Sequence, residues 1–432
     1  MNAPSNSQDE GKPRLLVVSH VDIVVRFLLP HMDAARAAGF EVEVACRITR
    51  HGDEVRAHAD HVWEMPFSRS PLHPGNAVAL AKLTRLIRER RYTLIHAHTP
   101  SGGVVGRLAA TLARSGKYRP LRLYTAHGFH FHAHGGKLSN TIFRTIEAVA
   151  GHAWSDGVMV INGEDYDAGA RGVVPRDRLF WTRGVGLTTD KFDAGRVSPD
   201  ARNALRRELF GDQAETGLLL ALVAEMIPRK RHRDALAAFA RIRARFPDAV
   251  FAIAGDGPLM EDLKREAETL GITNAIRFLG FRRDIEVLYS ATDLLLFPSA
   301  QEGLPCAVQE ALGMGVPVIA ADVRGSRDLV DDHCGRLVPL GDVEAFANAA
   351  CELLALPRET QRAMGEAGRQ KMAREYNRSR CVAEWQGVYV ELMQRHGVAV
   401  PPGLAQMAAC APVIPPSAAK TEETSAKHAE KA

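Results

Sequence analysis

Short apolar runs alternate with amphipathic segments along most of this chain. A short apolar run predicts a buried strand, whereas apolar residues spaced three or four apart predict a helix. The first half holds five such runs, at residues 14–19, 41–46, 94–98, 121–126 and 157–161. Helix-like sequence follows each run, and residues 27–38 are the clearest example. This βαβα rhythm predicts a parallel sheet wrapped by helices.

The same rhythm restarts after about residue 215. The second half has apolar runs at residues 218–224, 250–254, 276–279, 294–297 and 318–320. The sequence therefore predicts an α/β fold, with two doubly wound, Rossmann-like domains that face each other across a cleft. Ligands of such sheets bind at the carboxyl ends of the strands.

Composition shifts divide the chain into five segments. A polar leader (1–12) and a tail rich in Ala, Pro, Lys and Glu (398–432) are predicted to be disordered. Between them, residues 13–190 and 191–378 are predicted to form the two domains. An amphipathic pattern predicts a further helix over residues 379–397, which could pack back on the first domain.

Length and composition agree with two soluble domains. The 432 residues exceed what one core usually organises, and 46% hydrophobic with 25% charged residues is typical of globular proteins. The longest apolar run, 218–224, is far shorter than the ~20 residues that span a bilayer. We therefore expect a cytoplasmic protein.

Charge is unevenly distributed, although the net charge is only +4. The first half carries an excess of lysine and arginine and most of the 17 histidines. This pattern indicates an anionic partner, either a phosphorylated substrate or an anionic membrane surface, unless it is only a solvated basic face. We expect no nucleic-acid partner. The six cysteines are scattered and form no C-x-x-C pair, which favours buried thiols over a zinc site.

The sharpest motif is QEGLPCAVQE, at residues 301–310. Gly303 and Pro305 predict a sharp turn, and Pro305 suits the first position of the helix that follows. Backbone amides at such a positive helix end bind oxygens and anions. Glu302 and Glu310 flank the turn, and two carboxylates can accept hydrogen bonds from the hydroxyls of a sugar and a ribose.

This Glu-x7-Glu segment resembles the main signature of glycosyltransferase family 4, whose members are retaining enzymes with the GT-B fold. The resemblance extends over residues 14–394, and YTAHGFHF at 124–131 is similar to the capsule, exopolysaccharide and O-antigen enzymes. It implies that the first domain binds an acceptor and the second a nucleotide sugar.

The resemblance also implies roles for individual residues. Glu310 would bind the ribose hydroxyls of the nucleotide, and Glu302 would contact the transferred sugar and support its developing positive charge. Amides of Gly303, Leu304 and the neighbours of Pro305 would hold the sugar, although Pro305 itself has no N–H. The nucleotide sugar is a substrate, and no cofactor is expected.

A basic turn follows the first strand of the second domain, in AEMIPRKRH at residues 224–232. Cations at a strand's carboxyl end can neutralise a departing nucleoside diphosphate through charge-assisted hydrogen bonds. Lys230 matches the lysine of the family. Glu225 stands where the family usually has arginine, so Arg229 or Arg231 could supply the second cation.

A histidine-rich loop, AHGFHFH, ends a strand of the first domain. His127 and Gly128 resemble the family's His-Gly loop, in which the histidine approaches the donor sugar. His130 and His132 are interpreted as acceptor-side or packing residues. Three close histidines can bind a metal, but no cysteine or carboxylate cluster accompanies them, so no metal site is expected.

Three further motifs are weaker. Gly257 lies in a turn, and Gly280 and Phe281 follow a strand; the resemblance implies positions near the nucleotide and its base. SGGVVG at 101–106 is interpreted as close helix packing. The D-x-D at 165–167 is interpreted as acidic residues of a first helical turn, without a metal.

These observations predict retaining transfer of a hexose or N-acetylhexosamine from a nucleotide sugar, most simply UDP-linked, to a lipid-linked glycan in bacterial surface polysaccharide synthesis. Two alternatives stay open: a nucleotide-sugar epimerase of GT-B fold and a non-catalytic nucleotide-sugar-binding protein. A dinucleotide-dependent dehydrogenase is disfavoured because no glycine fingerprint follows the first strand.

Overall fold

The computed structural model describes residues 11–70 and 73–409, and the predicted leader therefore lies mostly outside the described residues. The chain divides into two compact units. Unit 1 comprises Met1–Val185 and Ser379–Ala432, and unit 2 comprises Gly186–Arg378. Unit 2 thus begins at Gly186, ahead of the boundary at residue 191 that the composition suggested.

Unit 1 is built on a seven-stranded parallel sheet of order β3-β2-β1-β4-β5-β6-β7. Its strands are β1 Arg14–Val18, β2 Glu41–Cys46, β3 His61–Glu64, β4 Leu94–His98, β5 Leu121–Ala126, β6 Gly157–Val160 and β7 Leu179–Trp181. Its helices are α1 Asp22–Ala37, α2 Gly52–His58, α3 Pro74–Arg90, α4 Pro100–Leu112, α5 Lys137–Ala153 and α6 Gly163–Ala168.

Unit 2 is built on a six-stranded parallel sheet of order β10-β9-β8-β11-β12-β13. Its strands are β8 Leu219–Val223, β9 Val250–Ala254, β10 Ile276–Gly280, β11 Leu294–Phe297, β12 Val318–Ala321 and β13 Gly335–Val338. Its helices are α7 Pro199–Phe210, α8 His232–Arg245, α9 Met260–Thr269, α10 Ile285–Ala291, α11 Cys306–Gly313, α12 Ser326–Leu329, α13 Val343–Ala355 and α14 Arg358–Glu375. Two doubly wound units confirm the predicted fold class.

Three strands were missed by the hydrophobic pattern, namely β3, β7 and β13, and each is an edge strand of its sheet. Edge strands are short and partly exposed: β3 has two exposed residues, and β13 is half-buried at its two central positions. Strands β3 and β13 therefore lack the continuous apolar runs that identify strands covered on both faces, whereas β7 is an apolar run of only three residues. Helix α1 also begins earlier than predicted, at Asp22.

The C-terminal segment returns to unit 1. Helix α15, Arg378–Arg395, buries Trp385 and Leu392 in the same cluster as β1 and β2, and its Glu384 forms a buried ion pair with Arg183 at 2.9 Å. The prediction of disorder from residue 398 is wrong for part of the tail. Helix α16, Pro402–Ala408, is ordered because Leu404 is fully buried against that cluster, and residues 410–432 lie outside the described range.

In the described ranges, no helix combines the length and the apolar character that a membrane span requires.

Candidate functional site

The carboxyl edge of the unit 2 sheet gathers most of the predicted site residues. Lys230 follows β8, Gly257 follows β9, Phe281 follows β10 and Glu302 follows β11. Parallel strands end at a common edge, so residues that are far apart in the sequence meet there. This edge of unit 2 is called the donor edge below.

The central contact of the donor edge is an ion pair between Lys230 and Glu302. Lys230 Nζ lies 2.5 Å from Glu302 Oε1, and both side chains are largely buried, at 14% and 9% exposure. The Ser299 hydroxyl donates a second hydrogen bond, also 2.5 Å, to the same oxygen. Two donors thus hold the Glu302 carboxylate, and Lys230 also lies 5.4 Å from the centre of the Phe297 ring.

The two candidate second cations lie in different surroundings. The Arg229 guanidinium donates to the Gln301 carbonyl at 3.2 Å, and the Arg229 carbonyl accepts from the Ala300 amide at 2.8 Å. These bonds tie the basic turn to the loop that carries Glu302. Arg231 instead has a left-handed φ of 52° and pairs with Asp234 at 2.6 Å in the first turn of α8. Arg229 is therefore the better placed partner of Lys230.

The turn before α11 is held by close backbone packing. The helix begins at Cys306, so Pro305 immediately precedes it and does not occupy the predicted first helical position. No side chain caps this end of the helix, and Leu304 is buried. The buried Arg324 donates to the Glu302 carbonyl at 3.0 Å. A Cβ at Gly325 would clash with the Gly303 carbonyl oxygen, so a side chain at Gly325 would displace the turn.

Glu310 lies in α11 and receives a hydrogen bond from Tyr289. The Tyr289 hydroxyl is 3.2 Å from Glu310 Oε2 and 3.2 Å from the Ala307 carbonyl. Burial raises the pKa of Glu310 to about 7, although the Tyr289 hydrogen bond acts in the opposite direction. The carboxyl group therefore changes charge close to neutral pH.

Gly257 has a packing role that the motif did not predict. A Cβ on Gly257 would lie 2.5 Å from the Met226 carbonyl oxygen, and a Cβ on Gly255 would clash with the carbonyl oxygen of Ala224. These glycines let the β9 turn pack on the loop that leads to Lys230. Gly280, at a φ of 61°, ends β10, and the Phe281 side chain after it is 67% exposed.

In unit 1, His127 belongs to a buried cluster of aromatic side chains. His127 Nε2 lies 3.1 Å from His98 Nδ1, and the His98 ring stacks on Trp385 of α15 at 5.7 Å. The neighbouring His96 is bonded to Tyr389 and Thr125, both at 2.7 Å. Burial lowers the pKa of His127 to about 4, so its imidazole is neutral near pH 7.

The loop after His127 is fastened by Asp165. The buried Asp165 carboxylate accepts the Phe129 amide at 3.1 Å and the Asn162 side-chain amide at 2.9 Å. The Asp165 amide in turn donates to the Asn162 side chain at 2.8 Å, in the first turn of α6. The interpretation of the D-x-D motif as first-turn acidic residues is thus confirmed for Asp165, whereas Asp167 lies beyond the first turn.

The SGGVVG segment forms the start of α4, as interpreted from the sequence. A Cβ on Gly103 would overlap the Tyr124 ring, and a Cβ on Gly106 would lie 3.1 Å from that of Ala97. In the described ranges, no three His, Cys, Asp or Glu side chains are grouped so that they could hold a metal ion.

Three contacting residues were not identified from the sequence: Ser299, Tyr289 and Arg324. Ser299 lies three residues before Glu302 in a loop at a strand end, and this position could have suggested a contact. Tyr289 is 21 residues from Glu310, and no sequence pattern links the two.

Comparison with known proteins gives a consistent result. Residues 208–371 match the family model "Glycosyl transferases group 1", and residues 15–155 match "Glycosyl transferase 4-like". EpsD of Bacillus subtilis (strain 168), whose name describes a glycosyltransferase, is 33% identical over 370 residues, which is 85% of this chain and 93% of EpsD.

A second relative is the Escherichia coli UDP-Gal:alpha-D-GlcNAc-diphosphoundecaprenol alpha-1,3-galactosyltransferase. It is 26% identical over 275 residues, covering 63% of this chain and 68% of the relative. Among solved structures, Anabaena HepE in complex with UDP and glucose has the same fold, with a TM-score of 0.70, 19% identity, and coverage of 90% of this chain and 98% of HepE.

Proposed function

This chain belongs to glycosyltransferase family 4, and from that premise we propose that it transfers a hexose or N-acetylhexosamine, with retention, from a UDP-sugar to a lipid-linked glycan. The pathway proposed is bacterial surface polysaccharide synthesis. The observation that carries the proposal is the buried Lys230–Glu302 pair, which lies at the donor edge of a sheet that also presents Glu310. The names of the two relatives, a glycosyltransferase and a UDP-galactose enzyme with a lipid-linked acceptor, support it.

Donor binding is proposed to rearrange the ion pair. A diphosphate near Lys230 competes with Glu302 for the ammonium group, because the two phosphates together carry more negative charge than the single carboxylate. Arg229, tied to the neighbouring loop, is proposed as the second cation. Release from Lys230 leaves Glu302 free to accept hydrogen bonds from the sugar, while amides of Gly303 and Leu304 approach the same hydroxyls.

We propose that the sugar is then transferred in a step that breaks one bond of the anomeric carbon and forms another. The bond between the anomeric carbon and the diphosphate oxygen breaks, and the acceptor oxygen bonds to the anomeric carbon on the same face. The acceptor proton passes to the departing phosphate oxygen, so no protein base is required. Fixed charges that stabilise the departing diphosphate are the main catalytic contribution. The neutral His127 is proposed to hydrogen-bond the donor sugar, and no metal takes part.

The test is a screen of UDP- and GDP-sugars by thermal shift, followed by assay with a lipid-diphosphate-linked sugar acceptor. We expect acceptor-dependent release of UDP that persists in the presence of a chelator. Conversion of a UDP-sugar without acceptor and without release of UDP would identify an epimerase. Binding of a UDP-sugar with no turnover on any acceptor would identify a non-catalytic binding protein.

Glu310 makes donor binding depend on pH. An ionised carboxylate accepts two ribose hydroxyls better than a protonated one, and the pKa of Glu310 is about 7. The KM for the donor is therefore expected to fall about tenfold between pH 6 and 8, as Glu310 ionises. Steady-state kinetics of the Glu310→Gln variant should show a higher KM with no such fall. Equal pH dependence in both proteins would contradict this assignment.

A membrane-facing surface is proposed on α5 of unit 1. Four apolar side chains follow one another along its outer face: Leu138, Ile142, Ile146 and Val149. Lys137 and Arg144 are exposed on the same helix. The single carboxylate of α5, Glu147, points inward to Arg107 at 3.0 Å. An apolar face with cationic flanks and no exposed carboxylate matches an anionic lipid surface, where a lipid-linked acceptor would lie.

Negative charges placed on the apolar face of α5 should weaken binding to anionic membranes. The Ile142→Glu/Ile146→Glu variant is expected to partition at least about tenfold less into vesicles containing phosphatidylglycerol, because two apolar contacts are lost. Co-sedimentation with vesicles measures the partition. The matched control Val78→Glu/Leu112→Glu changes two equally exposed apolar residues of unit 1, both 48% exposed. The surface assignment fails if the two variants bind equally.

A further inference from the structure

Unit 2 contains an open cavity of about 920 Å³ that lies away from the donor edge. Its wall includes Thr216, Asp293 and Pro317, which lie just before the starts of β8, β11 and β12. All strands of this sheet are parallel, so the cavity lies at the amino edge, opposite the edge that carries Lys230 and Glu302. Helices α7 and α14, the end of α10 and the adjoining loops supply the rest of the wall.

Five arginines line this cavity, and only two carboxylates, Asp293 and Glu215, accompany them. The five arginines are Arg202, Arg206 and Arg207 of α7 and Arg358 and Arg362 of α14. Residues four apart share one face of a helix, so Arg202 and Arg206, and likewise Arg358 and Arg362, point toward the cavity together. The wall therefore carries an excess of positive charge.

Two of these arginines are engaged within the fold. Arg206 donates to the carbonyls of Ala214 at 2.7 Å and Ala291 at 2.8 Å, and Arg358 pairs with Asp293 at 3.0 Å. Burial lowers the pKa of Arg206, and the guanidinium groups of Arg202 and Arg358 lower it further against the opposing effect of Asp293. The negative charge of Asp293 thus does not balance the positive charges of the three neighbouring arginines.

The other three arginines have donors available for a ligand. Across residues 11–70 and 73–409, the side chains of Arg202, Arg207 and Arg362 take part in no hydrogen bond or ion pair. A guanidinium group carries five N–H donors in a planar fork that matches phosphate oxygens. A concave wall with three such groups favours a ligand with more than one phosphate.

We propose that this cavity is a second ligand site, distinct from the donor edge, that binds a diphosphate group. The volume suits a nucleotide-sized molecule, since ligand cavities commonly measure about 300–1,000 Å³. The diphosphate could belong to inorganic pyrophosphate or to a nucleoside diphosphate. The proposal does not depend on the transferase reaction, because no residue of the donor edge lines the cavity.

The test uses the triple variant Arg202→Ala/Arg207→Ala/Arg362→Ala, which retains the structural Arg206 and Arg358. The control, Arg241→Ala/Arg243→Ala/Arg265→Ala, removes the same charge from α8 and α9 outside the cavity, where Arg241 and Arg265 are exposed and Arg243 is half-buried. Both are made in the full chain carrying Lys230→Met and Glu310→Gln, which weaken binding at the donor edge. Thermal unfolding checks that each protein is folded.

Calorimetric titration with inorganic pyrophosphate is expected to show a dissociation constant below about 1 mM for the control. The cavity variant should bind at least about tenfold more weakly, because charge-assisted hydrogen bonds are lost. Tighter binding of UDP than of pyrophosphate would identify a nucleoside diphosphate, and equal binding a free diphosphate. Equal pyrophosphate affinities of the two triple variants, or no binding by the control, would overturn the proposal.

A crystal of the unaltered protein soaked with pyrophosphate provides an independent measurement. Density for the anion between Arg202, Arg207 and Arg362 is expected. Occupancy confined to the surroundings of Lys230 would overturn the proposal, even if the combined variants proved too unstable to titrate.

Discussion

Replacing Lys230 with methionine is expected to lower kcat by about 10²–10³-fold, because the departing diphosphate loses a preorganised positive charge. Methionine retains the length and apolar stem of the side chain. Turnover is measured at saturating donor and acceptor, so that a change in donor affinity does not mask the effect. The free energy of unfolding should also fall, because the buried Glu302 carboxylate loses its cation and keeps the hydrogen bond from the Ser299 hydroxyl.

The double variant Lys230→Met/Glu302→Gln separates the two effects. Removing both charges leaves no unpaired buried ion, so most of the lost stability should return, whereas turnover should stay low. A matched control is Lys264→Met, which breaks an exposed lysine–glutamate pair with Glu261, 2.8 Å apart in unit 2. Recovery of turnover to within about tenfold of the natural protein in the double variant would show that the pair is only structural.

Replacing Arg107 with methionine is expected to reduce the free energy of unfolding by about 3–5 kcal/mol, the usual cost of breaking a buried ion pair. Arg107 is 1% exposed, pairs with Glu147 at 3.0 Å and donates to the Gly103 carbonyl at 2.8 Å. Its guanidinium also stacks 3.9 Å from the centre of the Tyr124 ring. The substitution would leave the buried Glu147 side chain, on the inner face of α5, without its ion-pair partner. Chemical denaturation monitored by circular dichroism measures the loss.

Two further variants test the origin of this effect. Arg85→Met breaks a solvent-exposed pair with Glu89, 2.6 Å apart on α3, and should leave the stability nearly unchanged. Arg107→Met/Glu147→Met removes both buried charges and should recover part of the loss. If Arg107→Met were no more harmful than Arg85→Met, the buried pair would not support unit 1 as argued.

Buried strands and local turns were predictable because their causes lie within a few neighbouring residues. Strands β2, β4, β5, β9 and β11 coincide with the apolar runs, since central parallel strands are covered on both faces. The Glu-Gly-Leu-Pro turn is likewise a local consequence of glycine and proline. Helix α16 was not predictable from such patterns, because Leu404 is buried only by tertiary contact with unit 1.

The amino-acid sequence by itself determined the two α/β units and singled out the residues that we propose contact the donor. Tertiary structure decided which of them meet: Lys230 pairs with Glu302 across 72 residues, and Tyr289 bonds Glu310. It also decided that His127 is a neutral, half-buried imidazole next to His98. Contacts and burial of this kind arise when separate strands align in one sheet, and neither residue type nor local spacing specifies that alignment.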